Sequence, residues 1–159
     1  GIGSGSGVIF GVTGGVTEAV LRRLQQGHNR VDMESIKKSG VRGDDGIKVL
    51  TYNYNGREIK AAVVNGLANA DKVLQQIKNH EAEYDFVEVM ACRRGCIMGG
   101  GQPVNAGPRT RKARMKGLYD TDVNTQIKKS NENPMILSLY DTLLKGKEHE
   151  LLHRNFSGK

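Results

Sequence analysis

Hydrophobic positions recur along this chain with two distinct periods. Val16, Ala19, Val20 and Leu24 fall at helical spacing, which predicts a helix over about 14–26 with Thr13 as its N-cap. The stretch before it, residues 1–7, alternates glycine with small residues, and glycine's conformational freedom opposes regular structure there. Residues 27–46 are polar, are broken by Gly40, Gly43 and Gly46, and are expected to be irregular. Period-two signals follow. Ile47–Tyr54 and Glu58–Val64 flank Asn55-Gly56, a pair suited to a type I′ hairpin turn. Asn69-Ala70-Asp71 then opens a helix with Ala70, Val73, Leu74 and Ile77 as its apolar positions, and Phe86–Met90 reads as a buried strand. Beyond Pro103 the pattern is helical, first near 109–120. A second helix has Asn133 as cap, Pro134 at its first position, Ile136, Leu139, Tyr140 and Leu143 as its buried face, and Gly146 as its end. The expected class is α/β: a small mixed β-sheet flanked by helices, with a helical C-terminal part and no internal repeat.

Composition narrows the options. With 159 residues there is room for one ordinary domain. No apolar run approaches the ~20 residues of a membrane span, so no membrane partner is expected. Two cysteines rule out a disulfide-stapled miniprotein. No charged-then-apolar secretory pattern is present, so the expected location is the cytoplasm; Gly1 points to a fragment boundary. The net charge of +7 is uneven: residues 1–91 carry 11 basic and 11 acidic groups, residues 92–159 carry 13 and 6. Arg109, Arg111, Lys112, Arg114 and Lys116 form a stripe able to meet nucleic acid, an anionic membrane or an acidic protein. It lacks interleaved aromatics, so a solvated helix face is the expectation and a nucleic-acid-binding module stands as an alternative.

Three patterns could carry chemistry. His149-Glu150-Leu151-Leu152-His153 matches the HExxH of zinc proteases, but no acidic residue or histidine follows as a third ligand. The bland reading is a short terminal helix with Leu151 and Leu152 buried. Gly3-x-Gly5-x-Gly7 has no preceding strand and no Walker lysine, so it is weak as a phosphate cradle. The third is Glu88-Val-Met90-Ala-Cys92-Arg-Arg-Gly95-Cys96-Ile-Met-Gly-Gly-Gly101-Gln102-Pro103. Its two thiols are four residues apart, and three glycines follow where a bulky group would press on backbone. Thiolates bind soft metals and iron–sulfur clusters. A pair of free cysteines and a zinc half-site remain open on spacing alone.

The Glu88–Pro103 segment resembles the third cluster-binding signature of the iron-only (FeFe) hydrogenases. Ser6-Gly-Val-Ile-Phe10-Gly11-Val-Thr13-Gly-Gly-Val16-Thr-Glu18-Ala19 resembles that family's glycine-rich segment and following helix. Ala62-Val-Val-Asn-Gly66-Leu, Lys129-Ser-Asn-Glu-Asn133-Pro134 and the closing His149–His153 stretch also resemble it. The resemblance implies the C-terminal lobe of the catalytic domain, reversible reduction of protons to dihydrogen, and a cofactor made of a 4Fe–4S cluster joined to a di-iron subcluster, the H-cluster. On the same basis Cys92 is a cubane ligand, Cys96 the thiolate linking cubane to di-iron, and Met90 a thioether beside the di-iron unit. Phe10 and Gly11 line its pocket. The implied partners are the N-terminal remainder of the catalytic domain, a ferredoxin-like electron carrier and cluster maturation proteins. The family's two earlier cysteine signatures are absent, so the chain alone has half the ligands and is expected to be inactive. Arg93-Arg94 stand where the common family version has Pro-Gly. A cluster-binding relative without hydrogenase activity, of the iron–sulfur assembly or sensory type, is the alternative reading. The two sulfurs are expected on one side of a loop facing residues 3–15, and Val8–Gly15 with Met90–Gly101 are expected to form an exposed apolar surface.

Overall fold

The computed structural model describes residues 2–28, 30–43, 45–104 and 107–154. In chain order the elements begin with α1 (Gly5–Val8), a 3-10 turn (Ile9–Gly11), α2 (Gly15–Leu24) and α3 (Met33–Lys38). The sheet and its crossover follow: β1 (Ile47–Tyr54), β2 (Arg57–Asn65), α4 (Leu67–Lys78) and β3 (Phe86–Met90). After a 3-10 turn (Cys96–Met98) come α5 (Pro108–Asn124), a further 3-10 turn (Ser130–Glu132), α6 (Pro134–Asp141) and α7 (Glu148–Leu152).

The three strands lie in the order β1-β2-β3. β1 and β2 pair antiparallel, with Tyr54 opposite Arg57 and Ile47 opposite Val64. Asn55 (φ 51°) and Gly56 (φ 80°) both adopt the left-handed conformation that a type I′ turn demands. β3 runs parallel to β2, with Ala61 opposite Phe86 and Asn65 opposite Met90, and α4 makes the crossover. Alternation along β2 divides its side chains between two cores. Ala61 and Val63 join Leu21, Ile36, Val41 and Leu50 on one face, while Ala62 and Val64 join Ala70 and Val73 under α4. A third cluster, Ile9, Val12 and Ile97, packs with Met98, Met115, Leu118 and Tyr119. It binds the glycine-rich segment to the cysteine turn and to α5.

Several expectations are corrected. Residues 27–46 contain α3, capped by the Asp32 carboxylate, which accepts from Glu34 N (3.0 Å) and Ser35 N (3.1 Å). Its single buried apolar residue, Ile36, gives no periodic signal to read. Residues 1–7 include the turn α1, started by Ser4, whose hydroxyl accepts from Gly7 N. Thr13 does not cap α2; Gly14, at φ 87°, occupies that position. α6 ends at Asp141, before Gly146, and Ile136, Leu139, Tyr140 and Leu143 are exposed, as are Leu151 and Leu152 of α7. Their amphipathic spacing specifies a contact that no described residue supplies. Around Val8–Gly15 and Met90–Gly101 the expected surface is mixed: Phe10, Cys92, Cys96, Gly100 and Gly101 are exposed, while Ile9, Val12, Met90 and Ile97 are buried.

Candidate metal-cluster site

The site is built at the carboxyl end of β3. Met90, its last residue, is buried, and its carbonyl accepts from Gly66 N (2.8 Å), which fixes where the strand stops. The chain then folds into a tight turn closed by Gly95 N donating to Cys92 O (3.0 Å). Arg94 (φ 72°) and Gly95 (φ 82°) are consecutively left-handed, and Arg94 N donates to Asn65 Oδ1 (3.1 Å). This reversal brings Cys96 Sγ to 3.8 Å from Met90 Sδ. A Cβ on Gly99 would lie 3.3 Å from Cys92 Sγ, so the glycine run lets backbone close around the first thiol. Both cysteines are free and exposed.

The glycine-rich segment lies directly against this turn. A Cβ on Gly95 would stand 2.9 Å from Gly11 O and 3.4 Å from Thr13 N, so the two loops meet backbone to backbone. Gly11 is in turn covered by Leu118 and Ile97. Glu88 locks the arrangement. Buried on β3, its carboxylate accepts from Gly14 N, Thr17 N and Thr17 Oγ1, each at 2.7 Å. A carboxylate from a strand seventy residues away therefore neutralises the first amides of α2, where the helix dipole is positive. The sequence marks Glu88 as a motif member without revealing this role.

Phe10 stands apart from the sulfurs' immediate contacts. It is 46% exposed and lines an apolar groove of about 590 Å³ with Val16, Ala19, Val20, Ile136 and Tyr140. Thus Met90, Cys96, Cys92 and Gly11 are gathered around one turn, and Phe10 faces the groove between α2 and α6. The Arg93 and Arg94 side chains line a separate cleft with Asn65, Asn69 and Arg111. The cationic stripe on α5 is not simply a solvated face: Arg114 donates to Ile97 O (2.7 Å) and Pro103 O (3.3 Å), bracing the cysteine turn.

Behind the site lies a buried charge network that sequence reading missed. Arg22 donates to both Asp122 oxygens (2.7 and 2.6 Å) and to Glu18, and Arg42 adds two bonds to Glu18 at 2.8 Å. Burial disfavours the Arg22 cation, yet the bonds to Asp122 and Glu18 outweigh it and hold its pKa above the ordinary value. The Arg42 guanidinium stacks 4.0 Å from the Tyr119 ring centroid. Burial, reinforced by Glu18, pushes the Tyr119 hydroxyl up to about 12.

The donor set fits half of a thiolate-held cluster. Two accessible thiols and a thioether are soft ligands clustered at a glycine-lined turn. A cubane takes about four thiolates, and the remaining two are not in this chain, which has two cysteines in all. Among the described residues no group of three or more His, Cys, Asp or Glu side chains could hold a metal ion. His149 and His153 of the HExxH pattern stack with centroids 4.8 Å apart and gain no third ligand among the described residues.

Residues 1–100 match the family described as iron only hydrogenase large subunit, C-terminal domain, and residues 108–159 match iron hydrogenase small subunit. The chain is 38% identical to iron hydrogenase 1 of Clostridium pasteurianum, over 94% of this chain and 28% of that protein. It is 44% identical over 104 residues to the periplasmic [Fe] hydrogenase large subunit of Nitratidesulfovibrio vulgaris, covering 65% of this chain and 25% of that one. In structure it superposes on a variant of the [FeFe]-hydrogenase HydA1 from Chlamydomonas reinhardtii with a TM-score of 0.62 at 35% identity, over 98% of this chain and 47% of that one. The chain thus spans between a quarter and a half of the length of these relatives. Among the described residues no helix is long and apolar enough to cross a membrane. The mixed α/β lobe, the paired thiols at the end of β3 and these matches together place the chain in the iron-only hydrogenase family.

Proposed function

We propose that this chain forms the C-terminal lobe of the catalytic domain of an FeFe-hydrogenase that interconverts protons and dihydrogen. The observation that carries the reading is the Met90–Cys96 pair at 3.8 Å, set on a turn that rests on the Gly11–Thr13 backbone. In this reading Cys92 is a ligand of the 4Fe–4S cubane and Cys96 is the thiolate shared with the di-iron unit. When bound, the H-cluster supplies the open iron position at which two protons and two electrons combine. The protein's share is placement and shielding. Met90, buried and apolar, stands beside the Cys96 sulfur and limits water next to the di-iron unit once the cluster is bound. Gly11 leaves space at the loop contact, and Phe10 presents an aromatic wall from the neighbouring groove.

Two further thiolates come from the N-terminal remainder of the catalytic domain, which covers the exposed apolar positions of α6 and α7. A ferredoxin-like carrier delivers electrons, maturation proteins install the cluster, and the location is cytoplasmic. The test uses the matured protein at its natural length. Cys96→Ser is expected to abolish hydrogen evolution and the infrared bands of the di-iron carbonyl and cyanide ligands, and Cys92→Ser to lower cubane iron content. Cys96→Ser that evolves hydrogen at the parent rate overturns the assignment. A parent protein that holds iron but lacks those bands and hydrogen turnover would instead support a cluster-binding relative without hydrogenase activity.

A further inference from the structure

We infer that the cleft between Arg93, Arg94 and Arg111 is a binding site for a compact multivalent oxyanion of the phosphate class, separate from the cluster site. The cleft holds about 460 Å³, in the range of small-ligand pockets. Its described lining is Gly46, Asn65, Asn69, Met98 and the three arginines, of which Arg93 and Arg94 are exposed. Neither cysteine is among these residues. Arginine forks match phosphate oxygens two at a time, and the Asn65 and Asn69 amides, bonded to Arg94 N and Asn65 O, shape the same wall.

The cleft shares a sheet edge with the cysteine turn. Asn65 and Met90 end the parallel strands β2 and β3, and ligands of open α/β sheets gather at that carboxyl edge. The twelve-residue helix α4 begins there, capped by Gly66 without any side-chain hydrogen bond. A partial positive charge is thereby added to the same wall. The backbone gives a third indication. Arg94 is held at φ 72°, a conformation that disfavours every side chain but glycine's, and Asn65 Oδ1 fixes its amide there. The Arg93 stem rests against Gly66, where a Cβ would come 3.3 Å from its Cγ. Among the described residues the Arg93 and Arg94 guanidiniums form no ion pair. Two exposed cations are thus fixed side by side on a strained turn. No aromatic residue is among the described lining residues, so the recognised part is the anion itself.

The test is calorimetric titration of inorganic pyrophosphate into the protein at its natural length, in low-salt buffer free of other multivalent anions. Saturable binding is expected, weakening as chloride is raised. Arg93→Gln and Arg94→Gln are each expected to weaken it roughly tenfold, the loss of one charge-assisted hydrogen bond. Arg94→Gly removes the cation while relieving the backbone, so a folded variant is available in any case. Lys37→Gln with Lys38→Gln, on exposed α3, removes equal charge and is expected to leave binding intact. The inference is overturned by absence of saturable heat up to about 10 mM pyrophosphate. Equal affinity in the Arg93→Gln, Arg94→Gln double variant overturns it too, as does equal weakening by the α3 pair. Tighter binding of citrate than of pyrophosphate overturns the phosphate assignment.

Discussion

Glu88 shows how much one buried carboxylate does in this molecule. It stands on β3, two residues before Met90, and satisfies two backbone amides and one hydroxyl at the start of α2. Glu88→Ala leaves those donors buried without acceptors, so a loss of about 3 kcal/mol or more is expected, and Glu88→Gln, which keeps one acceptor, a smaller one. Chemical denaturation checks this; an alanine variant within 1 kcal/mol of the parent refutes the role. Tyr119 gives a second expectation at this scale. Burial, then the Glu18 carboxylate, raises its hydroxyl to about 12 against the opposition of Arg42 and Arg22, whereas an unfolded tyrosine ionises near ~10. A folded pKa above the unfolded one stabilises fully below pH ~10 and is lost as pH climbs through about 12. Absorbance titration of the five tyrosines is expected to show Tyr119 ionising late. Tyr119→Phe is expected to flatten the loss of stability in that alkaline window.

At the scale of elements, backbone conformation decides what each turn tolerates. Gly15 opens α2 so close to Ile9 O that a Cβ has no room, and the obstacle is backbone that cannot swing aside. Gly15→Ala is therefore expected to give a protein unfolded at working temperature or destabilised by roughly 3 kcal/mol. Arg94→Gly is expected to act in the opposite sense. At φ 72° an L side chain costs about 1 kcal/mol, part of which is recovered in melting temperature. These contrasts explain what could be read beforehand. Asn55-Gly56 between two alternating runs announced the hairpin because its turn chemistry is local. Cys92, Cys96 and the glycines after them mark a candidate site by an equally local pattern. α3 was invisible, since one buried residue, Ile36, and a capping aspartate make no period. Thr13 was a sound local candidate for a cap, overridden by Glu88 from another element. The α6 pattern reads as a buried face, yet Ile136, Leu139, Tyr140 and Leu143 are exposed, because burial depends on what lies opposite and no local rule contains that. The charge network is long-range for the same reason: Arg22 and Asp122 are a hundred residues apart.

At the scale of the whole molecule, the two family matches meet at a seam between residues 100 and 108. The segment leading into it is exposed, with Val104 92% accessible. The contacts across the seam are dense. Gly5 N and Ser6 N donate to the carbonyls of Ile127 and Lys128 at 2.8 and 3.0 Å, adding backbone pairing between the two parts. Lys129, buried, donates to Gln25 O (2.7 Å) and Gly27 O (2.8 Å) at the end of α2. Asn133 Nδ2 donates to Ile2 O, and Arg22 holds Asp122 through two bonds in a fully buried setting. Ile9, Val12 and Ile97 pack on Met115, Leu118 and Tyr119 to close the apolar part of the contact. Such an interface has the composition of a core and does not need the peptide link to persist. Cleaving the chain between 100 and 108 in the natural-length protein is therefore expected to leave both pieces associated through gel filtration, with iron content unchanged. Asp122→Ala, which strands the Arg22 charge in the interior, costs about 3–5 kcal/mol and is expected to release the C-terminal piece after cleavage. Lys112→Gln, on the exposed side of α5, is expected to leave the cleaved pair intact. Separation of the two pieces in the parent protein as soon as the seam is cut sinks this prediction.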